Sequence, residues 1–222
     1  MFIVIEGLDG AGKSTQVARL TKWIESKGKK VEYLHFPRFS APVYGELIAR
    51  FLRGELGKID EVNPYLVALI YAGDRAEAAA MVRRWQEEGS VVLVDRYVLS
   101  NIAYQCAKLG EGKAELKEWI LDLEYTRNNI PQPDVTIFLD VPFKFTAEKL
   151  TAQRSGEDRD YLKGKEDIHE ASLTFQESVR EVYLEHTAES YYIVECADMT
   201  TGEMLPIEDI SERIIEKIAP LF

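Results

Sequence analysis

A parallel-sheet α/β fold is predicted by three features of the sequence. The apolar run Phe2-Ile3-Val4-Ile5 leads straight into Gly7-Leu8-Asp9-Gly10-Ala11-Gly12-Lys13-Ser14-Thr15, which fits the pattern GxxxxGK[ST]. A strand, that glycine-rich loop, a helix and a second strand then follow one another within residues 2–36, as at the start of a parallel βαβ unit. Further on, Ser90-Val91-Val92-Leu93-Val94 is a near-continuous β-branched run of the kind buried on both faces of a parallel sheet. The chain has 222 residues, 46% of them apolar, enough for one large domain spanning residues 1–222 with a full core.

The residue types of the loop carry its chemistry. Backbone N–H groups must point inward to wrap a di- or triphosphate, and glycines at 7, 10 and 12 permit the positive or crowded dihedrals this requires. Lys13 would bring a point charge to the outer phosphates and Ser14 a hydroxyl ligand for Mg²⁺, while the following helix offers its unpaired N–H groups. A lysine at a helix start opposes the helix dipole unless an anion sits there too.

Val17, Leu20 and Ile24 recur at helical spacing and Gly28 follows them, so residues 14–27 are expected to be helical and Val31 to Phe36 a strand. Phe36-Pro37-Arg38 closes that strand at a carboxyl end, where open α/β sheets bind ligands. Taken alone, Arg38 reads as a solvated loop charge. Asn63-Pro64 is a cap followed by a proline at the first helical position, opening a long helix through Glu88 that stops at Gly89. In its middle, Gly73 separates Tyr71 from Arg75, a spacing that suits either a surface pair or a flat ligand lying against the helix.

The β-branched run ends in Asp95-Arg96-Tyr97, a strand-end acid suited to Mg²⁺ beside an arginine suited to phosphate; an ion-paired cap is the alternative. Leu99 to Lys108, Glu115 to Arg127 and Lys144 to Gln153 are expected helices, and Val135 to Leu139 a buried strand. Residues 154–165 are charged and aperiodic with two glycines, as in a mobile flap or a solvated loop. A helix from Asp167 to Thr187, a strand at Tyr191 to Glu195 and a helix from Ile207 to Ile218 complete the chain.

Composition removes several function classes. A net charge of −11 argues against a nucleic-acid polymer as partner, since backbone binding needs a broad basic surface. No run of 18 apolar residues occurs and no basic-then-apolar leader precedes Phe2, so a cytoplasmic protein without a membrane partner is expected. Cys106 and Cys196 lie far apart with no CxxC and read as buried thiols, and His35, His169 and His186 are too scattered for a histidine metal site.

Together, GLDGAGKST, FPR at 36–38, YAGDR at 71–75, DRYVLSN at 95–101, AYQ at 103–105 and a charged stretch before DIHE at 167–170 resemble the thymidylate kinase family along the whole chain. The resemblance implies a three-layer phosphate-loop kinase fold with a central five-stranded parallel sheet and a lid at about residues 154–166. It implies transfer of a phosphoryl group from ATP to dTMP with Mg²⁺, and a homodimer. Residues 7–15 would hold ATP, with Ser14 and Asp95 at the metal. Asp9 would face the 3′-hydroxyl side of the sugar, Phe36 would bound the nucleotide site, and Arg38 and Arg96 would grip the acceptor phosphate. Tyr71 would stack on thymine, Arg75 and Asn101 would hydrogen-bond its edge, and Tyr104 and Gln105 would close the pocket.

Some relatives carry an arginine where this chain has Gly10. The resemblance therefore turns attention to Arg154 and Arg159 for the charge on the transferred phosphoryl group, with Arg154 preferred. It also places His169, where relatives have tyrosine, near the sugar's 2′ edge. The rival readings are a kinase of the same fold acting on another deoxynucleoside or deoxynucleotide, and a nucleotide switch. The switch fits poorly, because a guanine-reading NKxD stretch is expected there and no Asn-Lys pair occurs in the chain.

Overall fold

The computed structural model describes residues 1–151, 157–165, 167–170 and 172–222. Its centre is a five-stranded, wholly parallel sheet in the order β2-β3-β1-β4-β5, from β1 (Phe2–Gly7), β2 (Val31–His35), β3 (Val91–Asp95), β4 (Val135–Asp140) and β5 (Tyr191–Glu195). Side chains of β1 alternate between the two faces. Ile3 and Ile5 pack with Leu93, Ile137 and Leu139 under α1 (Lys13–Ser26) and α8 (Ile207–Ile218). Phe2 and Val4 pack with Val92, Val94 and Phe138 on the other face. That face is covered by α3 (Pro64–Glu87), α4 (Val98–Cys106), α5 (Lys113–Leu121) and α7 (Leu173–Glu185). These layers make the expected three-layer α/β architecture.

Local chemistry sets the helix boundaries. Asn63 Oδ1 accepts a hydrogen bond from Tyr65 N at 2.9 Å and Pro64 takes the first helical position, as the sequence foretold for α3. Two expectations need correction. The helix expected from Asp167 begins at Leu173, because Asp167 Oδ1 accepts from His169 N at 2.8 Å in a local turn and Ser172 Oγ caps the helix by accepting from Phe175 N. The helix expected over 115–127 changes register: residues Asp122–Arg127 form a π-helical segment, with Asn128 N donating to Leu123 O five residues back. This wider turn carries Glu124, which is fully buried.

No element is expected from the sequence over residues 39–62, yet α2 (Tyr44–Leu52) lies there, burying Ile48, Phe51 and Leu52 against Val67 of α3. Its helical spacing was present but short and opened by Gly45. Helix α6 (Phe143–Thr151) matches expectation over the described residues, and Gln153 lies outside them. The charged stretch after it is not simply solvated. Residues Glu157–Leu162 form a 3₁₀ turn that buries Leu162 and stacks the Tyr161 ring on Phe39 with centroids 3.7 Å apart.

Gly73 has a different reason from the one expected. A Cβ there would lie 2.2 Å from the Tyr44 ring, so the missing side chain makes room for α2 against α3 and not for a flat ligand. Gly45 is the less forgiving position, since its Cβ would meet the backbone carbonyl oxygens of Arg38 at 2.5 Å and Phe39 at 2.7 Å. A ring can swing away but two carbonyls cannot. Gly45→Ala should therefore cost about 1–3 kcal/mol, as overpacking does, and Gly73→Ala less. Denaturant midpoints of the two variants check the order; a larger loss at Gly73 would overturn it.

Candidate active site

The carboxyl ends of β1, β2 and β3 open into a cavity of about 780 Å³, a volume suited to a small-molecule site. Its wall holds Asp9, Gly10, Ala11, Gly12, Lys13 and Ser14 from the loop, Phe36, Asp95 and Arg96 from strand ends, and Tyr71, Arg75, Asn101, Tyr104 and Gln105 from helices. Three members of the motif stand back from the wall. Gly7 ends β1, Leu8 is buried in the core, and Thr15 is exposed on α1.

The glycine-rich loop has the shape its sequence requires. Gly10 and Gly12 adopt φ of 77° and 80°, and a Cβ on Gly7 would press to 3.2 Å of Ala11 Cβ. Lys13 Nζ donates to the carbonyls of Gly7 and Leu8 at 3.3 and 3.0 Å. Burial, assisted by Arg96, pushes the Lys13 ammonium down to about 8, and the carboxylates of Asp95, Asp9 and Glu6 resist that fall. Asp95 Oδ1 is buried with no partner among the described residues, and Ser14 is exposed on the first turn of α1. Carboxylate and hydroxyl oxygens on one cavity wall are hard ligands of the type Mg²⁺ takes alongside water and phosphate. Among the described residues there is no cluster of three or more His, Cys, Asp or Glu for a fully protein-caged metal.

Arg96 sits at φ 66°, and this left-handed turn aims its guanidinium back toward the loop. Its Nη2 donates to Asp9 Oδ1 at 2.6 Å and to Tyr104 Oη at 3.3 Å, and its Nη1 to Ser100 Oγ at 3.2 Å. Asp9 Oδ2 accepts from Tyr104 Oη at 2.7 Å and from Gln176 Nε2 at 3.1 Å. Burial alone would raise Asp9, but Arg96, Lys13 and the Tyr104 hydroxyl together hold its carboxyl well below the ordinary range. Arg38 is placed differently. It lies off the cavity wall, its Nε and backbone N donating to Asp74 at 2.8 and 2.9 Å.

Elsewhere on the wall, Arg75 and Asn101 share a partner that the sequence does not reveal. Glu124 accepts from Arg75 Nε and Nη2 and from Asn101 Nδ2. Nothing in its pattern distinguishes it from a solvated helical glutamate, and only the π-helical turn brings it inward. Gln105 is buried, its Oε1 accepting from Lys108 Nζ at 2.7 Å. Gln176, Asp167, Phe39 and Tyr161 are likewise parts of the wall or its support that the sequence does not reveal, whereas His169, expected near the sugar's 2′ edge, does line the cavity. His169 is packed among Phe51, Tyr104 and Phe175 at 5.0–5.5 Å, and burial, helped by Lys108, lowers its pKa well below the ordinary value, so the ring is neutral. Arg154 and the side chain of Arg159 lie outside the described residues.

Asp167 gives the site a pH signature. Burial, and then the charge of Asp9, push its carboxyl from an ordinary 3.8 up to about 7, against hydrogen bonds from the Tyr161 hydroxyl and His169 N. The folded state therefore holds a proton that the unfolded state has lost between these two values. The associated stability is complete below 3.8 and disappears as pH rises through 7. Asp167→Asn should flatten this part of the stability profile and leave the variant more stable than wild type at about pH 8. Denaturant midpoints at about pH 4, 6 and 8 check it; parallel profiles would refute the assignment.

The thymidylate kinase family model matches residues 5–204. Thymidylate kinase of Mycobacterium tuberculosis (strain CDC 1551 / Oshkosh) is 33% identical over 208 residues, covering 92% of this chain and 95% of its own. The Bifidobacterium longum subsp. infantis thymidylate kinase is 33% identical over 190 residues, covering 85% of this chain and 74% of its own. Among solved structures, thymidylate kinase from Candida albicans superposes with a TM-score of 0.73 at 25% identity, covering 99% of this chain and 91% of that one. With the loop, the parallel sheet and the strand-end arginine in place, these matches make the chain a member of the thymidylate kinase family.

Proposed function

We infer that the protein transfers the γ-phosphoryl group of ATP to dTMP, giving ADP and dTDP. The observation that carries this reading is a single cavity whose wall includes both the glycine-rich loop and the pair Arg75 and Asn101, together with Arg96. A phosphate donor, an acceptor phosphate and a base edge each have a matching set of groups on it. A related kinase acting on another deoxynucleoside or deoxynucleotide is disfavoured by that base-facing pair.

Phosphoryl transfer between two anions needs placement and charge neutralisation more than covalent chemistry. Lys13 would exchange the carbonyls of Gly7 and Leu8 for the donor phosphates, while the N–H groups of residues 7–15 surround them. Ser14 and Asp95 would hold Mg²⁺, which when bound supplies positive charge between the donor phosphates. Arg96 is already aimed into the cavity and would grip the acceptor phosphate. Arg38 would join it only by leaving Asp74. Asp9 would face the sugar's 3′-hydroxyl side, Phe36 would bound the nucleotide, Tyr71 would stack on the base, and Tyr104 and Gln105 would close the pocket. We also assign Arg154, within a lid at about 154–166 of one 222-residue unit, the charge that Gly10 cannot bring to the transferring group.

A second copy of the chain is the partner we assign to the apolar strip of α3, where Leu66 and Leu69 are 59% and 48% exposed. No helix among the described residues is long and apolar enough to cross a membrane. We assign the protein to a reducing, cytoplasmic setting, which the two free, buried cysteines support.

Lys13→Ala should abolish ADP release from ATP and dTMP while calorimetric dTMP affinity changes little, because Lys13 contacts only the donor. Loss of dTMP binding together with turnover would mean the donor and acceptor ends are misassigned. Arg154→Ala should lower kcat by at least about a hundredfold with dTMP affinity retained, the pattern of a contact made mainly in the transition state. An unchanged kcat would remove Arg154 from the mechanism.

A further inference from the structure

Asn101 is 3% exposed, and the orientation of its amide is fixed by what surrounds it. Its Nδ2 donates to the Ala68 carbonyl at 3.1 Å and to Glu124 Oε1 at 3.0 Å. A carbonyl and a carboxylate can only accept, so a reversed amide would set its own oxygen against two buried oxygens. Oδ1 is consequently the free end: it has no partner among the described residues, and Asn101 lines the cavity. Glu124 acts on Arg75 in the same way. It accepts from Nε at 3.1 and 2.9 Å and also from Nη2, and Nη1 is left without a partner among the described residues. Arg75 also lines the cavity, whereas Glu124 is fully buried and does not.

Asn101 Oδ1, buried and unpartnered on a residue of the wall, and Arg75 Nη1 are therefore the acceptor and the donor left for a ligand to meet. That pair complements a ring edge with a carbonyl oxygen beside a ring N–H, as in a 4-oxopyrimidine. A 4-aminopyrimidine carries an amino donor beside a bare ring nitrogen and mismatches both positions.

We propose that Glu124 is the positioning residue that sets base preference, by fixing which way the Asn101 amide faces and where the Arg75 guanidinium stands, so that the pair accepts a 4-oxopyrimidine and rejects a 4-aminopyrimidine. The proposal rests on the dTMP reading of the cavity and adds the cause of its selectivity. A mere charge partner for Arg75 would not need to be acceptor-only toward Asn101. Because it must be, the two roles separate in the variant Glu124→Gln. Glutamine fills the same space, and with its oxygen accepting from Arg75 Nε its amide nitrogen can donate to Asn101 Oδ1; Asn101 then turns, exchanging its bond to the Ala68 carbonyl for this one, and presents N–H to the cavity.

The test is kcat/KM for dTMP, dUMP and dCMP in wild type, Glu124→Gln and Glu124→Asp. The dTMP:dCMP ratio should fall at least about tenfold in Glu124→Gln, as expected when a buried polar group meets the wrong partner. The dTMP:dUMP ratio should stay within about twofold, since both bases present the same edge. Glu124→Asp, still acceptor-only, should keep the wild-type dTMP:dCMP ratio even if its rates drop. A Glu124→Gln enzyme that loses activity on dTMP and dCMP in proportion would reduce Glu124 to a structural role and overturn the proposal. A wild type without preference for dTMP would overturn the dTMP reading and the proposal together. Should the glutamine variant fail to fold, NMR of the ligand-free wild type decides. Side-chain amide protons of Asn101 held by Ala68 and Glu124 should exchange with solvent at least about tenfold more slowly than a free amide, and free-amide exchange would overturn the proposal.

Discussion

Glu6 is a carboxylate with no solvent exposure in the middle of the protein, and the geometry of the site depends on how it is satisfied. One oxygen accepts from the backbone N of Tyr97 and Ser100 at 2.9 and 3.1 Å; the other accepts from the hydroxyls of Ser100 and Tyr183 at 2.5 and 2.9 Å. These four donors join β1, the first turn of α4 and α7 around one charge. Burying a carboxylate without such partners would cost several kcal/mol, so the turn after β3 is held where its N–H groups can reach. That turn contains Arg96, whose left-handed backbone alone costs about 1–2 kcal/mol. The guanidinium reaches Asp9 and Tyr104 because Glu6 fixes the backbone on which it stands.

An acidic chain thus keeps cations at the mouth of its phosphate loop by pairing Lys13 and Arg96 with acceptors that a ligand could replace. Lys13 rests on loop carbonyls and Arg96 on Asp9, an arrangement that keeps both charges aimed and partly neutralised. The Lys13 pKa is lowered mainly by burial, because the site disfavours an ammonium that is not fully compensated. Phosphate oxygens would offset that penalty, which would link nucleotide binding to the electrostatics of the folded state. Arg75 is the contrasting case, because its buried partner Glu124 stays in place and leaves only Nη1 for recognition.

The segment after α6 belongs to the same construction. Arg53 Nη1 donates to the Tyr161 carbonyl at 2.7 Å, the Tyr161 ring stacks on Phe39, and its hydroxyl donates to Asp167 Oδ2 at 2.7 Å. Phe39 and Arg38 are positioned in turn by the close approach of Gly45, and Arg38 is further held by Asp74. The 3₁₀ turn, the loop after β2 and the mid-section of α3 are therefore mechanically connected through short-range contacts around one cavity.

Sequence alone determined whatever local pattern can encode. The β-branched runs specified buried parallel strands, Asn63-Pro64 specified a helix start, and Gly10, Gly12 and Lys13 specified a loop whose dihedrals and charge have one consistent use. The short motifs, in family order, also marked most of the side chains that reach the cavity. What only the tertiary structure decided depends on partners distant in the chain. Gly73 gives room to Tyr44, Arg38 is claimed by Asp74, and Glu124 is drawn inward by a π-helical turn to meet Arg75 and Asn101. No periodicity records such pairings, because a buried carboxylate and a solvated one have the same place in a helical pattern. They differ only in the donors that packing brings within about 3 Å.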